Sequence, residues 1–178
     1  MEHWRYYIDG RLLEAFGRAQ AAIYAYQAAL RLQPDFHRCS NRIAYILAGL
    51  ERFADAEPHF QAVLRADPGN ASAHFNLGYT HDKRGQFQKA VAEFREATRL
   101  NPKIDRAWYG LGLSHAALGQ HEEAAKALHE AATLQPMNPH AWYQLGMAYH
   151  TLHNAEKVDE VVMHLLRFDP KMTRRLIL

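Results

Sequence analysis

Five prolines divide the chain at a constant spacing. Pro34, Pro68, Pro102, Pro136 and Pro170 lie 34 residues apart. Each of them follows an amphipathic segment, as in "VLRADP" and "LLRFDP". Proline lacks an amide hydrogen and clashes with the preceding helical turn, so it is unfavourable in the continuation of an established helix. The spacing therefore predicts a chain built from repeated helical units.

Stacking the sequence on this period produces columns of similar residues. A large aliphatic column is followed directly by a small one, and a second small column lies twelve residues further on. The members are Ile43, Leu77, Leu111 and Leu145, then Ala44, Gly78, Gly112 and Gly146, then Ala22, Ala56, Ala90 and Ala124. Gly17, Gly85 and Gly119 stand midway, where a turn is needed. The pattern predicts two amphipathic helices per repeat, which approach closely where small residues face each other, as at Gly112 and Ala124.

These features resemble the tetratricopeptide repeat. The resemblance rests on the 34-residue period, the Trp-x-x-Leu-Gly opening at Trp108 and Trp142, the mid-repeat Ala124 and the closing prolines. It implies an all-α fold, an α-solenoid with a right-handed superhelix, made of about five helical hairpins. One hairpin cannot bury its apolar stripe alone, so neighbouring hairpins must stack.

The resemblance covers nearly the whole chain and implies a single domain over residues 1–178. The matching repeats are 37–70, 71–104, 105–138 and 139–172, and residues 3–36 form a degenerate first repeat. There Asp9 and Gly10 take the Leu-Gly place, and we expect this polar substitution to mark a solubilising cap. Residues 173–178 begin a sixth unit with Leu176 in the Trp108 column, so we expect a short capping helix there.

The family usually binds a peptide or another protein in a concave groove lined by the first helices. Carried over position by position, the groove residues are Tyr7, Arg11, Arg38, Asn41, Tyr45, Phe75, Asn76, Tyr79, Arg106, Tyr109, His140, Tyr143 and Met147. We expect these residues to have no packing role in the repeat, with Tyr109 and Tyr143 facing away from the scaffold. Exposed aromatic and arginine side chains are typical anchors of interfaces.

The residues also suggest the chemistry of the partner. Arg38 and Arg106 supply positive charge among the aromatic side chains, and Asn76 can hydrogen-bond the backbone of an extended peptide. An acidic or aromatic-containing segment would suit this surface. The carboxylate clamp of one subset of the family is incomplete here, because Tyr45 and Gly110 replace an expected asparagine and a basic residue.

Composition narrows the class of protein further. The net charge of +2 is too small to favour nucleic acid. Cys39 is the single cysteine, so no internal disulfide can form. The stretch "MEHWRYYIDGRLLEAF" lacks the apolar segment of a signal peptide, and no apolar run approaches membrane-spanning length. We expect a cytoplasmic protein that neither binds nucleic acid nor inserts into membranes.

Residues that could carry chemistry are scattered. His150 and His153 are spaced like metal ligands, but no cysteine cluster or His-Glu-x-x-His motif accompanies them. Cys39 has no catalytic framework around it, and Ser114 and His115 point in different directions if the segment is helical. The sequence therefore predicts no enzyme, no cofactor and no metal site.

The favoured hypothesis is a non-catalytic protein-interaction adaptor that binds a peptide or helix in the groove. The alternative is a self-assembling scaffold, in which a terminal helix docks into the groove of a neighbouring copy. Trp4, Tyr6 and Tyr7 near the start and "RRLIL" at the end are apolar enough to suggest it. Metal binding and RNA binding are more distant alternatives.

Overall fold

The computed structural model describes residues 2–177, which form eleven α-helices and no strand. The helices are α1 Glu2–Ala15, α2 Ala19–Leu32, α3 His37–Gly49, α4 Phe53–Ala66, α5 Ala71–Lys83, α6 Phe87–Leu100, α7 Asp105–Ala117, α8 His121–Leu134, α9 Pro139–Thr151, α10 Ala155–Leu166 and α11 Pro170–Ile177. The prediction of an all-α fold made of repeated helical hairpins is confirmed.

The chain divides into two compact units, Met1–Arg84 and Gly85–Leu178. The division falls inside the third predicted repeat, so α5 belongs to the first unit and α6 to the second. Within each unit, every helix contacts the next one along the chain, as expected when hairpins stack. The single domain and its repeat boundaries stay a prediction.

The core of the first unit lies between α1, α2, α3 and α4. Tyr26 and Phe60 are its largest fully buried side chains, and Ile43 and Ala44 fill the space beside them. Gly10 on α1 is required here, because a Cβ atom at this position would lie 2.5 Å from the Tyr26 ring. The small column thus lets α1 and α2 approach closely.

In the second unit, a glycine again allows two helices to approach closely. Leu128, Leu145 and Leu165 are buried in its core. A Cβ atom at Gly112 would lie 2.5 Å from Leu128 Cγ and 3.2 Å from the carbonyl oxygen of Ala124. The close approach predicted between positions 112 and 124 is confirmed.

The turn inside each hairpin places one residue in the left-handed region of backbone conformation. Gly17, Gly85 and Gly119 have φ values of 71°, 69° and 73°. The same column holds Glu51 at 58° and His153 at 55°. The geometry of the turn is therefore maintained even where a side chain makes it cost about 1 kcal/mol.

The recurring tryptophan has a specific hydrogen bond. Trp108 Nε1 donates to the carbonyl oxygen of Pro102, and Trp142 Nε1 donates to that of Pro136, both at 2.9 Å. His74, in the same column of the first unit, places Nε2 3.1 Å from the carbonyl oxygen of Pro68. The tryptophan and proline columns recur together, because each tryptophan donates a hydrogen bond to the carbonyl oxygen of the proline in the loop before its helix.

The predicted capping helix is present as α11, but it begins at Pro170 rather than at residue 173. The Asp169 carboxylate accepts a hydrogen bond from the backbone amide of Met172 at 2.9 Å, which caps the helix start. Leu176 is buried against the position of Gly146. Residue 178 of the predicted cap lies outside the described residues.

Burial also controls the reactivity of the single cysteine. Cys39 is fully buried at the start of α3, and this burial raises the pKa of its thiol to about 12. Because the thiolate is the reactive form, we expect Ellman's reagent to label the native protein at least about 100-fold more slowly than the denatured protein. The absorbance of the released thiolate measures both rates. Equal rates would show that α3 opens readily and would contradict this packing.

Candidate functional site

Eight of the thirteen predicted groove residues lie on the first helices of the first unit, α1, α3 and α5. Arg11, Arg38, Tyr45 and Tyr79 are exposed, whereas Tyr7, Asn41, Phe75 and Asn76 are half-buried. We call this set the unit-1 face. The remaining five lie on α7 and α9 and form the unit-2 face, where Arg106, His140 and Met147 are exposed and Tyr109 and Tyr143 are half-buried.

Two residues of the unit-1 face are directly joined. Asn76 Nδ2 on α5 donates a hydrogen bond to Tyr45 Oη on α3 at 2.8 Å. The Tyr45 ring also packs edge-on against the buried Phe60, with ring centroids 5.9 Å apart. The bond uses one amide hydrogen, so the Tyr45 hydroxyl keeps a donor and Asn76 Oδ1 is an acceptor. A donor and an acceptor side by side match the carbonyl and amide groups of a peptide backbone.

Tyr7 is part of an aromatic cluster at the start of the first unit. Its ring lies 5.4 Å from Phe36 and 5.7 Å from Trp4. The Arg38 guanidinium lies over the Trp4 ring at 5.5 Å. The groove list omitted Trp4, although it stands 34 residues before Arg38 and the period could have identified it.

The Tyr79 ring contacts one residue of the preceding helix and one residue of its own helix. Its ring meets Phe53 of α4 edge-on at 6.0 Å, and Lys83 Nζ lies 5.3 Å from its centroid. Lys83 was also missing from the sequence prediction, because it stands one helical turn beyond the columns used to define the groove. The first unit therefore places a cation on each of two exposed aromatic rings, Lys83 on Tyr79 and Arg38 on Trp4.

In the second unit, Tyr109 and Tyr143 pack against the core, contrary to our expectation that they face away from it. Both are half-buried against its hydrophobic clusters, and burial raises the pKa of the Tyr109 hydroxyl. The repeat pattern does not distinguish a packing tyrosine from a binding tyrosine. A half-buried tyrosine can pack against the core with its ring and still offer its hydroxyl to a partner.

The cap helix adds a cation to the unit-2 face. The Arg175 guanidinium lies 5.2 Å from the centroid of the Tyr143 ring. The repeat pattern predicts α11 only as a cover for the last hairpin and gives no sign of the contact between Arg175 and Tyr143. The stacked guanidinium, together with the exposed Arg106 and His140, makes the unit-2 face suited to anionic groups.

Gly110 shows why the carboxylate clamp is incomplete. A Cβ atom at this position would lie 2.5 Å from the ring of the buried Phe94. A basic side chain therefore cannot stand there unless α6 and α7 move apart. Packing in the second unit excludes the residue that the clamp needs.

Two pairs of histidines could suggest a metal site. His81 and His115 are buried, and His115 Nδ1 lies 2.7 Å from Gln120 Oε1. His150 and His153 are exposed. Among residues 2–177, no three histidine, cysteine or acidic side chains are grouped to hold a metal ion. None of the helices in the same range combines the length and apolar character needed to cross a membrane.

Paired helices, the small-residue columns and the tryptophan–proline hydrogen bonds define an all-α helical-repeat protein. The family model described as tetratricopeptide repeat matches residues 41–103, 75–134 and 109–157. These matches together span residues 41–157, about two thirds of the chain. The chain belongs to the tetratricopeptide repeat family.

Several solved structures share this fold. A crystal structure of MamA is 22% identical, with 93% of this chain and 96% of that one covered at a TM-score of 0.86. The structure of YrrB, "a TPR protein with an unusual peptide-binding site", is 23% identical, with coverages of 96% and 89% and a TM-score of 0.85. MamA of Desulfovibrio magneticus RS-1 is 19% identical, with coverages of 98% and 94% and a TM-score of 0.84. These identities show likeness of fold alone, and a comparison with curated proteins gave no match.

Proposed function

We propose that this protein is a non-catalytic interaction adaptor that binds an extended segment of a partner protein on its first-helix faces. The tetratricopeptide repeat fold supports a protein-interaction scaffold role. The observation that carries the finer proposal is the Asn76–Tyr45 hydrogen bond, which presents a donor and an acceptor together on the unit-1 face. A cytoplasmic location stays a prediction from the sequence.

The rings and cations around this pair define the side chains that the partner would carry. Tyr79 offers an exposed ring with Lys83 stacked on it, and Arg38 lies over Trp4. Aromatic and acidic side chains fit such a surface, because rings pack on rings and carboxylates pair with the cations. YrrB is described as having a peptide-binding site, which gives this proposal a precedent on the same fold.

The test uses peptides selected from a displayed random library on the purified protein. We expect selected peptides to be rich in acidic and aromatic residues. Asn76→Ala and Tyr45→Phe should each weaken binding of the selected peptide about 3- to 10-fold, because each removes one backbone hydrogen bond. Isothermal titration calorimetry measures the dissociation constants.

Tyr149→Phe is the matched control, since it removes a half-buried tyrosine hydroxyl outside both faces. Its affinity for the peptide should equal that of the parent protein. Peptides that bind equally well to all three variants would refute the proposed site. A library that yields no binder would refute peptide recognition itself.

Self-association is a second candidate, favoured by exposed apolar side chains on the first hairpin. Docking of the terminal helix into a neighbouring groove is a poor route, because Met172 and Leu176 of α11 are buried in their own hairpin.

A further inference from the structure

The second unit contains an open cleft that lies outside both first-helix faces. It has a volume of about 620 Å³ and is lined by residues of α8, the end of α9 and the start of α10. Ala125, Tyr149 and Leu152 form the apolar part of its lining. Cavities of about 300–1,000 Å³ are the size that small ligands occupy in proteins. We call this space the α8–α10 cleft.

The repeat register explains why the cleft is open. Two periods before Ala125 and Leu152 stand Glu57 and Arg84 of the first unit. Their side chains form an ion pair, which joins α4 to the residue that ends α5. Ala125 is too short and too apolar to make such a pair, and it is also smaller than the buried Val91 one period earlier. The space that a side-chain bridge spans in the first unit is therefore unfilled in the second.

The two walls of the cleft carry opposite net charge. The α8 wall contributes two acids and one lysine, spaced four residues apart as Glu122, Lys126 and Glu130. The α10 wall contributes Lys157, whose Nζ atom lies 5.0 Å from the centroid of the Tyr149 ring. In residues 2–177, none of these four charged side chains forms a salt bridge. The charges therefore remain available to groups that enter the cleft.

The aromatic ring between the walls is particular to this repeat. The earlier members of the Tyr149 column are His81 and His115, and both are buried. Tyr149 is half-buried, and it lines the cleft together with Leu152. Such a ring offers a broad apolar surface to a ligand. The last repeat thus combines an apolar base with walls of opposite charge, where the first unit has an internal ion pair.

We propose that the α8–α10 cleft binds a free α-amino acid with an apolar side chain. The ammonium group pairs with the glutamates of α8, the carboxylate pairs with Lys157, and the apolar side chain packs on Tyr149 and Leu152. A ligand with a single charge would leave the opposite wall without a partner. No lining residue of the cleft belongs to the unit-1 or unit-2 face, so this inference does not depend on peptide binding.

The test uses L-phenylalanine as the probe and follows its binding by amide nitrogen–proton correlation spectra of the whole protein. We expect saturable shifts concentrated on α8, α9 and α10, with a dissociation constant between about 0.05 and 5 mM for a ligand of this size. N-acetyl-L-phenylalanine lacks the ammonium group and L-phenylalanine amide lacks the carboxylate. Each should bind at least about 10-fold more weakly, because one wall then has no partner.

Lys157→Met removes the charge of the α10 wall and keeps an unbranched apolar side chain of similar length. It should weaken binding of L-phenylalanine at least about 10-fold. Lys89→Met is the matched control, because Lys89 is exposed, stands two periods before Lys157 and lines no part of the cleft. Its affinity for L-phenylalanine should equal that of the parent protein.

A double variant, Ala125→Glu with Leu152→Arg, copies the ion pair of the first unit into the cleft. We expect the new bridge to fill the cleft and abolish binding, with unchanged helical circular dichroism, because Glu57 and Arg84 occupy the same places in an intact hairpin. Lys157 is exposed, so Lys157→Met decides the question even if the double variant is less stable.

Three results would overturn the proposal. They are the absence of saturable shifts in the parent protein, equal affinity for either blocked derivative, and equal affinity of Lys157→Met. Peptides selected on the unit-1 face should bind Lys157→Met as they bind the parent protein, so failure of one proposal can be told from failure of the other.

Discussion

Phe94→Ala should lower the free energy of unfolding by about 3–5 kcal/mol. Phe94 lies on α6 and is 1% exposed, among the largest fully buried side chains. Its ring fills the space beside Gly110 on α7, where a Cβ atom would lie 2.5 Å away. Because rigid helices border the site, the cavity left by alanine cannot collapse fully. Urea denaturation followed by circular dichroism measures the change.

A second substitution tests whether the close packing of the Phe94 ring on Gly110 causes this loss of stability. Gly110→Ala in the parent protein should cost about 1–3 kcal/mol, because the new methyl group overlaps the Phe94 ring. In the Phe94→Ala background the same change should be neutral or stabilising, since alanine favours the helix by about 1 kcal/mol over glycine. Met137→Ala, at a 70% exposed position, is the control and should change stability by less than about 0.5 kcal/mol. Equal costs of Gly110→Ala in both backgrounds would contradict the packing of α6 on α7.

The repeat could be predicted from the sequence because each column has a direct physical cause. Proline ends the helix, and Gly112 admits Leu128 and the Ala124 backbone. The turn column is fixed by a positive φ even at Glu51. When one constraint recurs every 34 residues, a single chain displays it five times. Five repeats of the same pattern therefore support the fold prediction more strongly than one isolated motif would.

The candidate site was harder to predict, because its contacts join residues from different columns. The Asn76–Tyr45 hydrogen bond links two helices through side chains offset within the repeat. Arg175 reaches Tyr143 from a helix whose start could not be located from the period alone. Periodicity gives the face on which a residue lies, but it does not give the conformation of a long side chain.

The first repeat departs from its copies for another physical reason. The column of Leu12 is apolar or small throughout, so its sequence gives no sign of exposure. Exposure depends on the packing around each repeat: Leu12 is exposed, Ile46 is half-buried, and Thr80, Ser114 and Ala148 are buried. The same column is therefore core in some repeats and open surface in another.

In the first unit, the Glu14 carboxylate links α1, α2 and α3 through hydrogen bonds. Tyr26 Oη of α2 donates to Glu14 Oε2 of α1 at 2.9 Å, and Arg42 Nε of α3 donates to the same oxygen at 3.0 Å. Arg42 Nη2 pairs with the other carboxylate oxygen. Burial, together with the hydrogen bond to Glu14 and its charge, raises the pKa of Tyr26 above its usual range. The tyrosine therefore stays a neutral donor.

Glu14→Leu should lower the free energy of unfolding by about 2–4 kcal/mol, because it leaves the buried Tyr26 hydroxyl and the half-buried Arg42 guanidinium without their acceptor. Tyr26→Phe should cost about 1–2 kcal/mol. The double variant should cost less than the two single costs added together, since an apolar pair no longer leaves the hydroxyl unsatisfied. Denaturation in urea at neutral pH gives all three values.

Asp55→Asn is the control, because it weakens an ion pair with Arg52 whose side chains are about half exposed, and it should cost less than about 1 kcal/mol. Alkaline pH gives an independent signature. Since the pKa of Tyr26 is raised on folding, the unfolded chain loses that proton first, and stability falls as pH rises above about 10. Tyr26→Phe should flatten this fall, whereas Asp55→Asn should leave it unchanged. Additive costs would show that Glu14 acts as an ordinary surface charge, and an unaltered alkaline slope in Tyr26→Phe would contradict the burial of the Tyr26 hydroxyl on folding.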